Sequence, residues 1–128
     1  MPNDKTTELV LAYYDSWKNG SAAYDDARLR DILASDLKFE GPIAGKRDSA
    51  DTFLPGLLGF ARTLESLRVL HLVSSGDEAA VLYDCDVTMP AGTFRFAEFF
   101  RIEGERIQEI KLLFDATEFR KLTGPPAA

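Results

Sequence analysis

Apolar residues recur every three to four positions through the first half of the chain and every two positions through the second. Leu9, Val10, Tyr13, Tyr14 and Trp17 fall on one side of a helical wheel, which predicts an amphipathic helix. Asp4 or Thr6 can cap it, and Asn19-Gly20 ends it. A second helix carries Ala27, Leu29, Ile32 and Leu33, with Asp25 or Asp26 near its start. A short strand, Leu37 to Glu40, stops at Gly41-Pro42. A third helix is expected from Asp48 or Ser49, burying Phe53, Leu57 and Phe60. Pro55 lies inside it and removes a backbone donor, so a kink or a late start is expected there.

From about residue 66 the period changes to two. Val81, Tyr83, Cys85, Val87 and Met89 alternate with Leu82, Asp84, Asp86 and Thr88. Phe94, Phe96, Glu98, Phe100 and Ile102 follow, then Ile110, Leu112 and Phe114. Turn signals at Ser74–Asp77, Pro90-Ala91-Gly92 and Glu103-Gly104-Glu105 separate these runs into an antiparallel meander. A last short helix begins at Asp115, where Asp115 and Glu118 have capping-box spacing. A three-residue Glu103–Glu105 loop opposes Glu98 to Ile110 and puts Phe94, Phe96, Glu98, Phe100, Ile110, Leu112 and Phe114 on one face. A two-residue Ala91-Gly92 loop adds Tyr83, Cys85, Val87 and Met89 to that face and leaves Asp84 and Asp86 on the other, near Arg95. A three-residue loop at Pro90 turns both aspartates inward beside Glu98. The first register is preferred, because three carboxylates on one buried face repel one another and are costly to desolvate.

The chain has 128 residues, 45% of them hydrophobic and 28% charged, the length and composition of one globular domain with one core. Its formal net charge is -6 and it has no basic run, which disfavours nucleic acid and anionic membranes as partners. One cysteine and one histidine exclude an internal disulfide and any two-histidine metal motif. No stretch near ~18 apolar residues occurs, and Met1 to Glu8 is too polar for a signal peptide. A cytoplasmic protein is expected by default. Only the first few residues and the tail from Thr123 read as flexible.

Glu98 interrupts an aromatic stripe. A buried carboxylate must find a partner, emerge at a rim, or line a cavity with a raised pKa and serve as an acid or hydrogen-bond donor. Tyr13, Tyr14 and Trp17 form an aromatic stripe on the first helix, and a buried tyrosine hydroxyl needs a partner or a ligand. The same holds for Tyr83. His71, among Leu67, Val69, Leu70 and Leu72, reads as a structural histidine, and Cys85 as core filler. Asp84 and Asp86 share one face of a strand and read as a solvated or inter-subunit surface. Phosphate loops, dinucleotide fingerprints, nucleophile elbows and zinc-protease motifs are absent, so neither a cofactor nor a metal is expected.

Three segments carry a family resemblance: LVLAYYDSWKNG (9–20), SDLKFEGP (35–42), and RFAEFFRIEGERIQEIKLLFD (95–115) followed by Ala-Thr-Glu-Phe. In that order they resemble the SnoaL-like branch of the nuclear transport factor two-like proteins, which includes ketosteroid isomerases, polyketide cyclases and limonene-epoxide hydrolase. The resemblance implies an α+β fold with residues 1–128 as a single SnoaL-like domain. Three N-terminal helices pack on a curved antiparallel sheet, a cystatin-like cone enclosing a pocket. It also implies a homodimer formed through the sheet's other face. By likeness to the isomerases, Tyr13 matches the helix-one tyrosine and Glu98 the sheet acid of an oxyanion hole. The isomerase base position falls on Gly41. Of the epoxide hydrolase Asp–Arg–Asp array, Asp86 matches one member, while Asp84 or Tyr83 and Leu112 occupy the other two positions. The expected function is an isomerase or cyclase-type enzyme acting on a small apolar carbonyl compound. Tyr13 and Glu98 would donate hydrogen bonds, and Trp17, Tyr14, Phe60, Tyr83, Phe96, Leu112 and Phe114 would form the binding surface. The alternatives are a non-catalytic binder of small hydrophobic ligands and, less favoured, an epoxide hydrolase.

Overall fold

The alternating half of the chain and the short N-terminal strand build one six-stranded sheet, seen in a computed structural model that describes residues 4–123. The elements run α1 (Asp4–Asp15), α2 (Asp26–Ile32), β1 (Leu33–Gly41), β2 (Gly45–Arg47), α3 (Ala50–Ala61), β3 (Leu64–Ser75), β4 (Glu78–Thr88), β5 (Ala91–Glu103), β6 (Arg106–Phe114) and α4 (Thr117–Thr123). The terminal residues 1–3 and 124–128, read from sequence as flexible, lie outside the described residues.

The helix starts follow their caps. The Asp25 side chain accepts from the Arg28 amide at 3.0 Å, and Ser49 from the Thr52 amide at 3.1 Å. Thr6 does not cap α1. It lies within the helix and donates to the Gly76 carbonyl at 2.8 Å, tying α1 to the β3–β4 turn. Nor does Pro55 delay α3, which starts at Ala50 and runs past it. Pro55 and Asp51 are both exposed, so the Asp51 carbonyl left without a helical donor can turn to water.

The strand order is β2-β1-β6-β5-β4-β3. The meander β3–β6 is antiparallel as expected, but β1 joins β6 in parallel, so the sheet is mixed. Only strands joined by tight hairpins are forced antiparallel; α3 intervenes between β1 and the meander and releases β1 from that constraint.

Both predicted hairpin loops shift while the faces hold. The β4–β5 turn is Met89-Pro90, not Ala91-Gly92, and Tyr83 therefore opposes Phe96 and Val81 opposes Glu98. Gly92 sits in β5 with φ 147°, so its sequence signal marks a glycine-favouring backbone position inside the strand. Met89, predicted on the inner face, is in the turn and exposed. The β5–β6 turn is the two-residue Gly104-Glu105, both with positive φ, the geometry of a tight hairpin. Between the pairs Ile102–Ile107 and Arg101–Glu109, β6 advances by one extra residue, Gln108. This bulge lets Ile107 and Ile110 both face inward.

Helices α1, α2 and α3 cover the inner face. Tyr13, Tyr14 and Trp17 are buried there with Phe100, Ile107 and Ile110. Asp84 and Asp86 are on the outer face: Arg95 Nε donates to Asp84 Oδ1 at 2.8 Å and Arg68 Nη1 to Asp86 Oδ2 at 2.8 Å. His71, read from the sequence as a structural histidine, is exposed on the edge strand β3. A register shift between Val69 and His71 breaks the alternation there.

Candidate active site

Between the sheet's inner face and α3 lies a pocket of about 470 Å³, within the range of small-molecule sites. Phe39 and Gly41 of β1, Phe53, Leu57 and Phe60 of α3, Phe96 of β5, Leu112 and Phe114 of β6 and Phe119 of α4 form half of its wall. Two polar side chains reach it from deep in the fold, Tyr13 and Glu98. Of the residues assigned to ligand contact from the sequence, Phe60, Phe96, Leu112 and Phe114 are in the wall. Trp17, Tyr14 and Tyr83 pack behind it. The Trp17 and Phe60 rings meet edge to face at 6.1 Å, and Trp17 Nε1 has no hydrogen-bond partner among the described residues.

Glu98 is 2% exposed. Its cross-strand neighbours, Val81 and Leu112, are apolar, and no described cation pairs with it. Two hydroxyls hold it instead: Tyr14 OH donates to Oε1 at 2.7 Å and Tyr83 OH donates to the same oxygen at 2.8 Å. Oε2 receives no hydrogen bond from a described residue, so it is the oxygen left for the pocket. Burial raises the Glu98 pKa to about 7, against the opposing pull of the Tyr14 and then the Tyr83 hydrogen bond. The acid thus exchanges its proton near neutrality, through an oxygen facing an apolar chamber.

The resemblance makes Tyr13 and Glu98 two donors of one pocket, and both line it; the hydrogen bonds to the carboxyl itself come from Tyr14 and Tyr83. Consecutive helix positions differ by about 100°, so one member of the tyrosine pair turns to Glu98 and the other to the pocket. The Tyr13 hydroxyl hydrogen-bonds to no described residue and remains available in the wall. All three phenols are driven well above their usual pKa by burial and next by the Glu98 charge, so they act as donors and not as bases. Burial, and then the Glu98 charge, also pushes the Cys85 thiol up, so no thiolate forms there. Among the described residues no group of three His, Cys, Asp or Glu side chains could hold a metal ion. No described helix is long and apolar enough to cross a membrane.

The family model described as the SnoaL-like domain matches residues 10–110. The chain belongs to this family. Its fold is that of the nuclear transport factor two-like proteins of solved structure. A protein from Kribbella flavida DSM 17836 is 27% identical with TM-score 0.78, covering 91% of each chain. A candidate SnoaL-like polyketide cyclase from Jannaschia sp. CCS1 is 16% identical with TM-score 0.75, over 96% of this chain and 94% of that one. TerC, co-crystallised with polyporic acid, is 17% identical with TM-score 0.73, over 92% of this chain and 97% of that one. The last two likenesses concern the fold. No curated protein matches the sequence significantly.

In this SnoaL-like chain the residue before Pro42, where the isomerase resemblance seeks a base, is Gly41. The structure gives a steric reason for the missing side chain. A Cβ on Gly41 would lie 2.9 Å from Phe39 Cζ and 3.6 Å from Leu112 Cβ, because the Phe39 ring lies over the glycine, with the Phe53 ring 4.7 Å away on centroids. Gly41→Ala is therefore expected to destabilise the fold by roughly 1–3 kcal/mol, the usual cost of overpacking. Chemical denaturation measures it, and unchanged stability would show that Phe39 moves aside freely. The hydrolase array is not assembled either. Asp86 is on the outer face, hydrogen-bonded to Ser66, Arg68 and Thr93, while Leu112 is in the pocket wall on the inner face.

Proposed function

We propose that this SnoaL-like protein is an isomerase or cyclase-type enzyme that moves a proton alpha to the carbonyl of a small apolar compound. The observation that carries the reading is the buried Glu98 carboxyl at the floor of the apolar pocket, held on Oε1 by two tyrosines; its burial raises the pKa to about 7. A base is most effective with a pKa near the working pH. Glu98 is the only carboxyl group among the described wall residues, so it serves as base and conjugate acid in turn. Oε2 takes the alpha proton, the C–H electron pair passes into the carbonyl as an enolate, and Tyr13 donates a hydrogen bond to the developing oxyanion. Return of the proton from Oε2 to a different carbon isomerises the substrate; attack of the enolate carbon on a second carbonyl cyclises it. This role goes beyond hydrogen-bond donation by Glu98, because Gly41 offers no other base.

The absence of a second base among the described wall residues favours one alternative, a binding protein that performs no chemistry. Hydrogen–deuterium exchange separates the two. A simple ketone such as 2-tetralone, followed by proton NMR in D2O, should lose its alpha protons faster with the protein than in buffer, whereas a pure binding protein leaves the exchange rate at the buffer value.

The partner we propose for the outer face is a second copy of the chain. Val73, Phe99 and Leu113 are 65%, 53% and 61% exposed there. The acids beside this patch, Asp84, Asp86 and Glu109, are each ion-paired by an arginine of the same chain, so a second copy meets paired charges and not repelling ones. Phe99→Glu is expected to convert a dimer into a monomer of 14.2 kDa in sedimentation equilibrium. A wild-type protein already monomeric at high micromolar concentration would refute the assignment.

A further inference from the structure

The pocket has a second charged wall residue, and it is at the opposite end from Glu98. Arg47, in the three-residue strand β2, lies directly opposite Phe39 across the β1–β2 pair. Opposed residues share a face, and Phe39 is a wall residue, so Arg47 lines the same chamber. Its side chain is exposed, which puts it at the mouth. Among the described residues the Arg47 side chain has neither an ion pair nor a hydrogen bond. Of the nearby acids, Asp48 pairs with Lys38 at 3.8 Å, and Glu40, one residue from Phe39 in β1, falls on the other face of the sheet. By contrast Arg30, Arg68, Arg95 and Arg101 all pair with acids. A second guanidinium borders the mouth, where Arg120 Nη2 donates to the carbonyl of the wall residue Pro42 at 3.2 Å.

We infer that the substrate is amphiphilic, with its reacting carbonyl at Glu98 and a carboxylate at its far end held by Arg47. The inference rests on the carbonyl reading above and names the substrate class for that site. Three strand spacings separate β5 from β2, about 14 Å across the sheet, a span on the scale of a two-ring compound with a polar group at each end. A guanidinium presents a planar fork of donors that matches a carboxylate in two-point contact. The orientation follows from charge. A carboxylate at the floor would meet the Glu98 carboxylate in an apolar chamber and repel it, whereas at the mouth it meets an unpaired cation. The walls between are aromatic and aliphatic and suit the rings joining the two ends.

The test uses 6-acetyl-2-naphthoate and its methyl ester, which keep the same ketone and differ in the charge at the far end. Binding is measured by titration calorimetry at pH 7.5 in low salt, together with alpha-proton exchange of the acetyl group. The acid should bind about fivefold tighter than the ester, the scale of a partly exposed ion pair. Arg47→Gln should erase that preference, with its folding checked separately by circular dichroism and thermal melting. High salt should erase it in the wild type. A preference that survives in Arg47→Gln, or an acid no tighter than the ester, overturns the inference while the pocket reading stands on the bound ester. If the acid preference depends on Arg47 but exchange is indifferent to Glu98→Gln, the anion subsite holds and the carbonyl chemistry fails. If neither probe binds, both fall.

Discussion

Glu98→Gln is expected to cut alpha-proton exchange by about 10²–10⁴-fold, the contribution of a positioned proton-transfer group, while ketone affinity changes little. The substitution suits the site. A glutamine carbonyl oxygen can still accept from Tyr14 and Tyr83, which both donate to Oε1, so the amide stays in place but can no longer take a proton. Wild-type exchange should also depend on pH in a defined sense. The step requires the carboxylate, so the rate constant at low ketone concentration should rise with pH and level off above the Glu98 pKa of about 7. A rate that instead falls through that pH would assign the working form to the protonated acid and leave the abstraction to solvent. A Glu98→Gln protein that exchanges ketone protons as fast as wild type would remove Glu98 from the chemistry altogether.

Glu98 was legible in the sequence for a physical reason: an ionisable residue inside a period-two aromatic stripe contradicts its surroundings, and such contradictions concentrate at sites. The faces of the sheet were legible on the same footing, because sliding a hairpin by two residues leaves every side chain on its side. Tyr83 shows how far this goes. Whether Glu98 faces Cys85, as the predicted loop requires, or Val81, as found, Tyr83 is two residues away on the same face and within a diagonal of the acid. Which residue of the Tyr13-Tyr14 pair meets Glu98 was not legible, since a rotation of one helix position decides it and only packing against β4 and β5 sets that rotation. Nor was the role of Arg47. In the sequence it stands in a polar stretch between the predicted Leu37–Glu40 strand and the third helix, and only the β1–β2 pairing, which no strong alternation announces, puts it opposite Phe39. The parallel β1–β6 contact was hidden for a related reason, as a strand joined through a helix carries no local signal of its direction. His71 looked internal because its neighbours are apolar, but β3 is an edge strand where a register shift breaks the pattern.

The same carboxyl should make the fold less stable as the solution turns alkaline. An unfolded glutamate titrates near 4.5 and folded Glu98 near 7, so between these values the native state holds a proton that unfolding releases. Raising the pH through this window therefore favours the unfolded chain. The stabilising contribution is complete below about 4.5, falls progressively, and is lost above about 7, with a total change of about 3 kcal/mol for a fully buried group. The outer-face acids work in a different window. Hydrogen bonds from Arg95 and Arg68 hold Asp84 and Asp86 below the ordinary aspartate value of 3.8, so they lose stability only on stronger acidification and leave the slope between pH 5 and 8 to Glu98. Urea denaturation of the wild type at these two pH values should show a clear drop, and Glu98→Gln, with nothing to ionise, should be nearly flat and the more stable protein at pH 8. That outcome would tie the proposed activity to a measurable cost, because the variant that folds best above neutrality is the one unable to move the proton. Equal wild-type stability at both values would mean that the carboxyl is solvated in the native state, and the proton chemistry assigned to it would lose its physical basis.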